Sequence, residues 1–217
     1  MTDMCDSNHN QSSEATALYH TFGCKLNFAE TATIEDLMSQ RGIRAIGRGE
    51  TPDIIVVNSC SVTETADRKC RQYIRSMHRR YPQAAIIVTG CYAQLHGEDI
   101  AAMDGVAAVV GNDKKHGVVR RAEEWLRNRE MHQTDITPTA QIRDFEPSCS
   151  RGDRTRFFLK VQDGCNYWCS YCTIPKARGR SRSGTVSQVV EQARAAAAAG
   201  ATEIVITGVN IGDFGHG

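Results

Sequence analysis

Short unbroken apolar runs alternate with stretches whose apolar residues recur every three or four positions. DIIVVNS (53–59), AAIIVTG (84–90) and VAAVV (106–110) read as strands buried on both faces, and ALYHTF (17–22) as a further strand. After the first strand comes a helical stretch with Ile34, Leu37 and Met38 on one side, stopping at Gly42. TETADRKCRQYIRSMHRRY (63–81) is a helix stopped by Pro82, and Ala66, Cys70, Ile74 and Met77 form its buried stripe. Another helix follows 106–110 and runs to about Arg129. Such alternation, with strands apolar throughout, predicts an α/β fold built on a parallel sheet covered on both faces. Ligands of such sheets bind beyond the carboxyl ends of the strands.

Residues 131–156, MHQTDITPTAQIRDFEPSCSRGDRTR, are polar, hold two prolines and show no period, so they read as a linker. The pattern resumes in the strand RFFLKVQDG (156–164). SGTVSQVVEQARAAAAAG is a helix: Ser183 or Thr185 caps it, Val186, Val189 and Val190 begin its apolar face, and Gly200 stops it. ATEIVITG (201–208) is the next strand. Two strands and a helix cannot close a barrel, which takes about 200 residues, and they leave strand edges unpaired. The expectation is a truncated chain. It has a disordered tail at 1–15, a parallel-sheet domain at 16–130, a linker at 131–155 and a partial second domain at 156–217.

No apolar run approaches the roughly 18 residues of a membrane span. The opening MTDMCDSNHNQSSEA lacks the apolar centre of a secretory signal. A cytoplasmic protein without membrane contact is the default expectation. Nine cysteines in that compartment argue for metal or redox chemistry rather than disulfides. The net charge of +1 hides a basic second part, where nine Lys and Arg face five acids over residues 151–217. That is weak support for a polyanionic partner.

The cysteines fall into sets. Cys24, Cys60 and Cys91 each follow a strand, about one βα unit apart, so they should converge on one rim of one sheet. Cys165, Cys169 and Cys172 form C-x3-C-x2-C in GCNYWCSYC. Structural zinc takes four protein ligands, and no second C-x2-C knuckle accompanies this one. Three cysteines on a 4Fe–4S cube would leave one iron open for substrate. Thiolates serve both metals, so zinc stays as the rival.

With Tyr171 just before its last cysteine, the tight set resembles the radical S-adenosylmethionine (SAM) enzymes. The longer string GCNYWCSYCTIPKARGRSRS is similar to the methylthiotransferases among them, and Pro175, Arg178, Gly179 and Ser183 match P-x-x-R-G-x-x-x-S. TFGCKLNFAET, VVNSCSVTETADRK and VTGCYAQ resemble the three cysteine motifs of that family's amino-terminal domain. The resemblance covers residues 17 to 217. It implies that 156–217 is the start of a radical SAM partial (β/α) barrel. Complete family chains continue through the barrel to a small RNA-binding domain. GCKLN resembles the bacterial branch acting on threonylcarbamoyladenosine in tRNA, whereas the isopentenyladenosine branch tends to GCQMN and the ribosomal-protein branch to GCPKN.

The resemblance implies a methylthio-group transferase with two 4Fe–4S clusters and SAM. Cys165, Cys169 and Cys172 would hold the cluster that binds SAM at its open iron and releases a 5′-deoxyadenosyl radical. The radical would take hydrogen from carbon 2 of the adenosine. Cys24, Cys60 and Cys91 would hold a second, sulfur-delivering cluster. An aromatic C–H offers no acidic proton, so such chemistry is delegated to cofactors. Tyr171, Gly208 and Asn210 are the expected SAM contacts, and Asn27 and Asn58 the expected amides near the second cluster. The implied partners are the tRNA anticodon stem-loop and an electron-donor protein.

Other residues have plainer readings. Cys70 lies on an apolar stripe and packs as a small hydrophobe, while Cys5 and Cys149 read as free thiols. Arg68, Arg71, Arg75 and Arg79 form a basic helix face, either solvated or set against tRNA phosphates. Lys176, Arg178, Arg180 and Arg182 are expected along an extended stretch, contacting SAM or RNA backbone. Tyr167 and Trp168 are expected to shield the cluster. The rival functions are a sister-branch methylthiotransferase and a non-enzymatic zinc or electron-carrying module.

Overall fold

The apolar runs become the strands of one parallel sheet. A computed structural model describes residues 14–129, 132–150 and 156–216. The expected tail through residue 13, with Cys5, lies outside the described residues. The first section runs β1 (Ala15–Thr21), α1 (Lys25–Ser39), β2 (Ile43–Ala45), β3 (Ile54–Ser59), α2 (Glu64–Arg80), β4 (Ala85–Gly90), the short α3 (Cys91–Leu95) and α4 (Gly97–Ala101), β5 (Val106–Val110), α5 (Gly117–Asn128) and β6 (Gln133–Asp135). The strand order is β2-β1-β3-β4-β5-β6, and every neighbouring pair is parallel.

Strand side chains alternate between faces, and both faces are covered. Ile54, Val56 and Ile87 pack with Ile34 and Met38 of α1 and Val118 and Trp125 of α5. Their neighbours Ile55, Val57, Ile86 and Val88 pack with Cys70, Ile74 and Met77 of α2. The α2 stripe is as expected except for Ala66, which is only half-buried. Thr63 caps α2 by accepting a hydrogen bond from Ala66 N–H at 3.2 Å.

The second section holds β7 (Ser148–Cys149), β8 (Arg156–Lys160), β9 (Gln162–Asp163), α6 (Ile174–Arg178), β10 (Arg182–Ser183), α7 (Val186–Ala198) and β11 (Glu203–Thr207). β11 and β8 pair in parallel across the α7 crossover, β7 lies antiparallel to β8, and β9 and β10 form a separate antiparallel pair. Thr185, not Ser183, caps α7, in a reciprocal capping box with Gln188. Among the described residues, no helix is long and apolar enough to cross a membrane.

Two expectations need correction. The stretch read as a linker supplies β6 and β7. Asp135 anchors β6 through Lys114 at 2.6 Å and Arg120 at 3.0 Å, and β7 buries Cys149, whose N–H donates to Thr33 Oγ1 at 3.2 Å. The Lys176–Arg182 stretch is not extended throughout. It begins inside α6, which Pro175 opens at a position where proline's missing N–H costs nothing.

Candidate functional site

The sheet changes direction at β1, since the chain leaves for β2 on one side and returns as β3 on the other. The crevice beyond the carboxyl ends of β1 and β3 is therefore the topological switch point. Cys24 caps α1 directly after β1, Cys60 follows β3, and Cys91 opens α3 after β4. Gly23 has φ +101°, and a Cβ there would lie 2.8 Å from Cys60 Sγ, so the Cys24 loop rests against Cys60. Gly90 has φ +99°, and a Cβ there would collide with Ser59 O, which brings Cys91 to the same rim. Cys60 and Cys91 are buried, whereas Cys24 is exposed. Burial pushes the Cys60 thiol pKa up.

Two asparagines brace this rim. Asn27 Nδ2 donates to Phe22 O at 2.7 Å and Ser59 O at 3.0 Å, tying the loops of Cys24 and Cys60 together. Cys24 Sγ stands 4.0 Å from Asn27 Oδ1. Asn58 Nδ2 donates to Asn27 O at 3.0 Å.

The tight set lies on the loop between β9 and α6. Cys165 N–H donates to Gly179 O and Cys172 N–H to Cys169 O, both at 3.0 Å. Tyr167 N–H points at Cys165 Sγ, 3.4 Å away. Tyr167, Trp168 and Tyr171 are 59%, 72% and 88% exposed. Gly208 and Asn210 sit past β11, against a residue that sequence reasoning missed. A Cβ at Gly208 would lie 2.9 Å from Gln162 Oε1, and Asn210 N–H donates to that oxygen at 2.8 Å. An open cleft of about 580 Å³ separates Cys24 and Phe28 from Phe158, Ile206 and Gly208.

Between the trios lies a buried charge network. Glu30 of α1 meets Lys115, Lys160 at 2.8 Å and Arg178 at 3.0 Å. Asp163 meets Lys160 at 2.8 Å, Arg178 at 2.9 Å and Arg182 at 3.2 Å. Arg178 Nη2 also donates to Asn27 Oδ1 at 2.7 Å. Burial pushes the Glu30 carboxyl up, but the combined field of Arg178, Lys115 and Lys160 outweighs it and holds the pKa below the usual range. For Asp163, burial is likewise overcome by Arg178, Lys160 and Arg182. The Lys115 pKa is lowered as well: its own burial, with Arg178 and Lys160 nearby, outweighs the pull of Glu30. Arg178 and Arg182 are thus buried structural cations, contrary to the expected contacts with SAM or RNA. Lys176 and Arg180 remain exposed.

On the α2 face, Arg68, Arg75 and Arg79 are exposed. Arg71 instead donates to Tyr92 Oη at 2.6 Å.

The donor chemistry fits iron–sulfur clusters. Each site offers three thiols and no nitrogen or carboxylate ligand in its motif, the soft set such clusters take. Among the described residues, no three or more His, Cys, Asp or Glu side chains gather around one ion centre. A cube's thiolates sit on separate irons, so they stand farther apart than the ligands of a tetrahedral zinc.

Family comparison defines the class. Residues 16–111 match the model of "Uncharacterized protein family UPF0004" and residues 159–215 that of the "Radical SAM superfamily". Over its length the chain is similar to the amino-terminal part of radical SAM methylthiotransferases. It is 38% identical over 203 residues to the threonylcarbamoyladenosine tRNA methylthiotransferase MtaB of Bacillus subtilis, covering 93% of this chain and 45% of the relative. It is 35% identical to the protein of that name from Aquifex aeolicus, covering 91% and 48%. The chain thus spans about half the length of these relatives. In fold it resembles the radical SAM methyltransferase TsrM of Kitasatospora setae, solved with tryptophan and a SAM analogue. That match has a TM-score of 0.57 and 13% identity, and covers 91% of this chain and 48% of that one.

Proposed function

We propose that this chain serves the transfer of a methylthio group to carbon 2 of threonylcarbamoyladenosine beside the tRNA anticodon. One observation carries the reading: two sets of three cysteines, from separate sections, face each other across one interface. Thr173, next to Cys172, donates to Ser61 O at 3.0 Å, next to Cys60. The names of the B. subtilis and A. aeolicus relatives support the substrate.

In this reading Cys165, Cys169 and Cys172 hold the SAM-binding cluster and Cys24, Cys60 and Cys91 the second. When bound, these groups and SAM supply the radical chemistry and the sulfur. The chain's own residues do the placing. Asn27 fixes the loops of Cys24 and Cys60, and Gly179 O fixes Cys165. Gln162 orients the Gly208–Asn210 turn, which lines the expected SAM site with Tyr171. Tyr167 and Trp168, both exposed, are free to shield the bound cluster or to stack on an unpaired base. An electron-donor protein completes the partners, and the setting is cytoplasmic.

The test is nucleoside mass analysis of tRNA from a strain lacking the gene. Loss of the methylthio group from threonylcarbamoyladenosine supports the reading. Loss from isopentenyladenosine moves the activity to that sister branch. Unchanged tRNA moves it to a protein substrate or a carrier role. A relative from Novosphingobium aromaticivorans, 31% identical over 210 residues and named tRNA-2-methylthio-N(6)-dimethylallyladenosine synthase, makes the first comparison necessary.

A further inference from the structure

The buried network does not balance. Lys115, Lys160, Arg178 and Arg182 are its cations and Glu30 and Asp163 its carboxylates, all at most 7% exposed. With all four cations protonated, two positive charges are in excess, and because burial and the neighbouring cations lower the Lys115 pKa, its charge in particular needs an anion to hold it. Glu146 lies at the edge of the network, and even when ionised it leaves one. A buried charge without a partner is costly, so the surplus calls for an anion.

The geometry shows where the anion belongs. Arg178 grips Asn27 Oδ1 at 2.7 Å, and that oxygen stands 4.0 Å from Cys24 Sγ. The same asparagine braces the carbonyl of Ser59, which precedes Cys60. Lys115 Nζ lies 3.5 Å from Asn58 Oδ1, two residues before Cys60.

We propose that the surplus positive charge of Lys115 and Arg178 is the counter-charge of the metal–thiolate group at Cys24, Cys60 and Cys91, and sets its reduction potential. The inference rests on the two-cluster reading above. Both residues act through the field at the thiolates and touch no substrate. A cluster gains negative charge when it takes an electron, so nearby cations stabilise the reduced form and raise the potential. Removing a cation lowers the potential, and removing an anion raises it.

The experiment uses the full chain with Cys165, Cys169 and Cys172 replaced by alanine, so that one cluster remains. It is reconstituted anaerobically with iron and sulfide and titrated with dithionite, read by electron paramagnetic resonance. Lys115→Met is expected to move the midpoint to more negative potential and Glu30→Gln to more positive potential, while Arg178→Lys stays near the parent. A loss of packing would not give opposite signs. Shifts of one sign, or none, overturn the proposal. Should Lys115→Met not fold, an unmoved midpoint in Glu30→Gln overturns it alone. A parent that binds no iron refutes the two-cluster reading itself, an outcome distinct from an iron-loaded parent with unmoved variants.

Discussion

The hydroxyl of Thr173 donates to the main-chain carbonyl of Ser61 across 112 residues of sequence, at 3.0 Å. Each residue directly follows a cysteine, so one hydrogen bond ties the loops of the two trios. Two others reinforce it, Asn112 Nδ2 to Ala177 O at 2.7 Å and Thr139 Oγ1 to Lys176 O at 2.8 Å. Thr173→Val keeps the shape and removes the donor. It should cost about 1 kcal/mol in urea unfolding, with faster amide exchange in the residues around 61 and 173. Unchanged exchange there would show that the bond does not hold the loops.

Glu30 is a buried carboxylate with two of its three cations supplied by the second section. Glu30→Ala leaves Lys115, Lys160 and Arg178 facing one another. The expected loss is roughly 3–5 kcal/mol at neutral pH, the range for breaking a buried pair from one side, and denaturant titration measures it. The wild-type Glu30 pKa is lower folded than unfolded. Its stabilisation is therefore complete above the ordinary carboxylate range and is lost as pH falls toward the folded value. The variant should lose less stability on acidification than the wild type does.

Glu146 has the opposite sign. Burial pushes its pKa up from 4.5 to about 7, against the pull of Lys160 and the His116 N–H. The folded chain holds this proton more tightly than the unfolded chain, so stability falls as pH rises from 4.5 toward 7. Glu146→Gln keeps the size and removes the charge. It should be the more stable protein above pH 7, by up to about 3 kcal/mol, and no different from wild type near pH 4. Thermal unfolding across that range tests it, and an equal gain at both ends would mean that the effect is not electrostatic.

The sheet was legible because β3, β4 and β5 are apolar on both faces, and the cysteine rim because each residue stands one step past a strand. The Cys70, Ile74 and Met77 stripe read correctly for the same reason of period. β6 and β7 were not legible. QTD and SC are too short and polar to show a period, and they are held by ladder bonds and by the Asp135 ion pairs, which are tertiary. The charge network was invisible for a deeper reason. Patterning gives no sign that Glu30, Lys115 and Lys160 are buried, and it put Arg178 on an extended stretch toward SAM or RNA, yet each is buried by partners far away in sequence. Arg178 and Glu30 are 148 residues apart. Pro175 was the one local signal that α6 begins there. Gln162, in a strand of two residues, had none.

Cys60 and Cys70 offer the sharpest contrast between a ligand and a packed thiol. Both are buried, but they are buried by different things. Cys60 sits at the sheet rim against Gly23, with Cys24 and Cys91 close enough to act on its charge. Cys70 lies in the apolar core with Ile74 and Met77, where burial, helped by Asp67, pushes its pKa up to about 12. A thiol that does not ionise is a poor ligand and a poor nucleophile. On the proposed two-cluster reading, Cys60→Ala should, after anaerobic reconstitution, drop the iron content from about eight to about four per chain. Cys70→Ala should leave it at the wild-type value and cost about 1 kcal/mol of stability from the small void. Alkylation of the metal-free chain should label the exposed Cys24 and Cys169 first and Cys70 last. If Cys70→Ala removed as much iron as Cys60→Ala, the division between rim and core thiols would be wrong, and the three-strand rim would lose its claim to a cluster of its own.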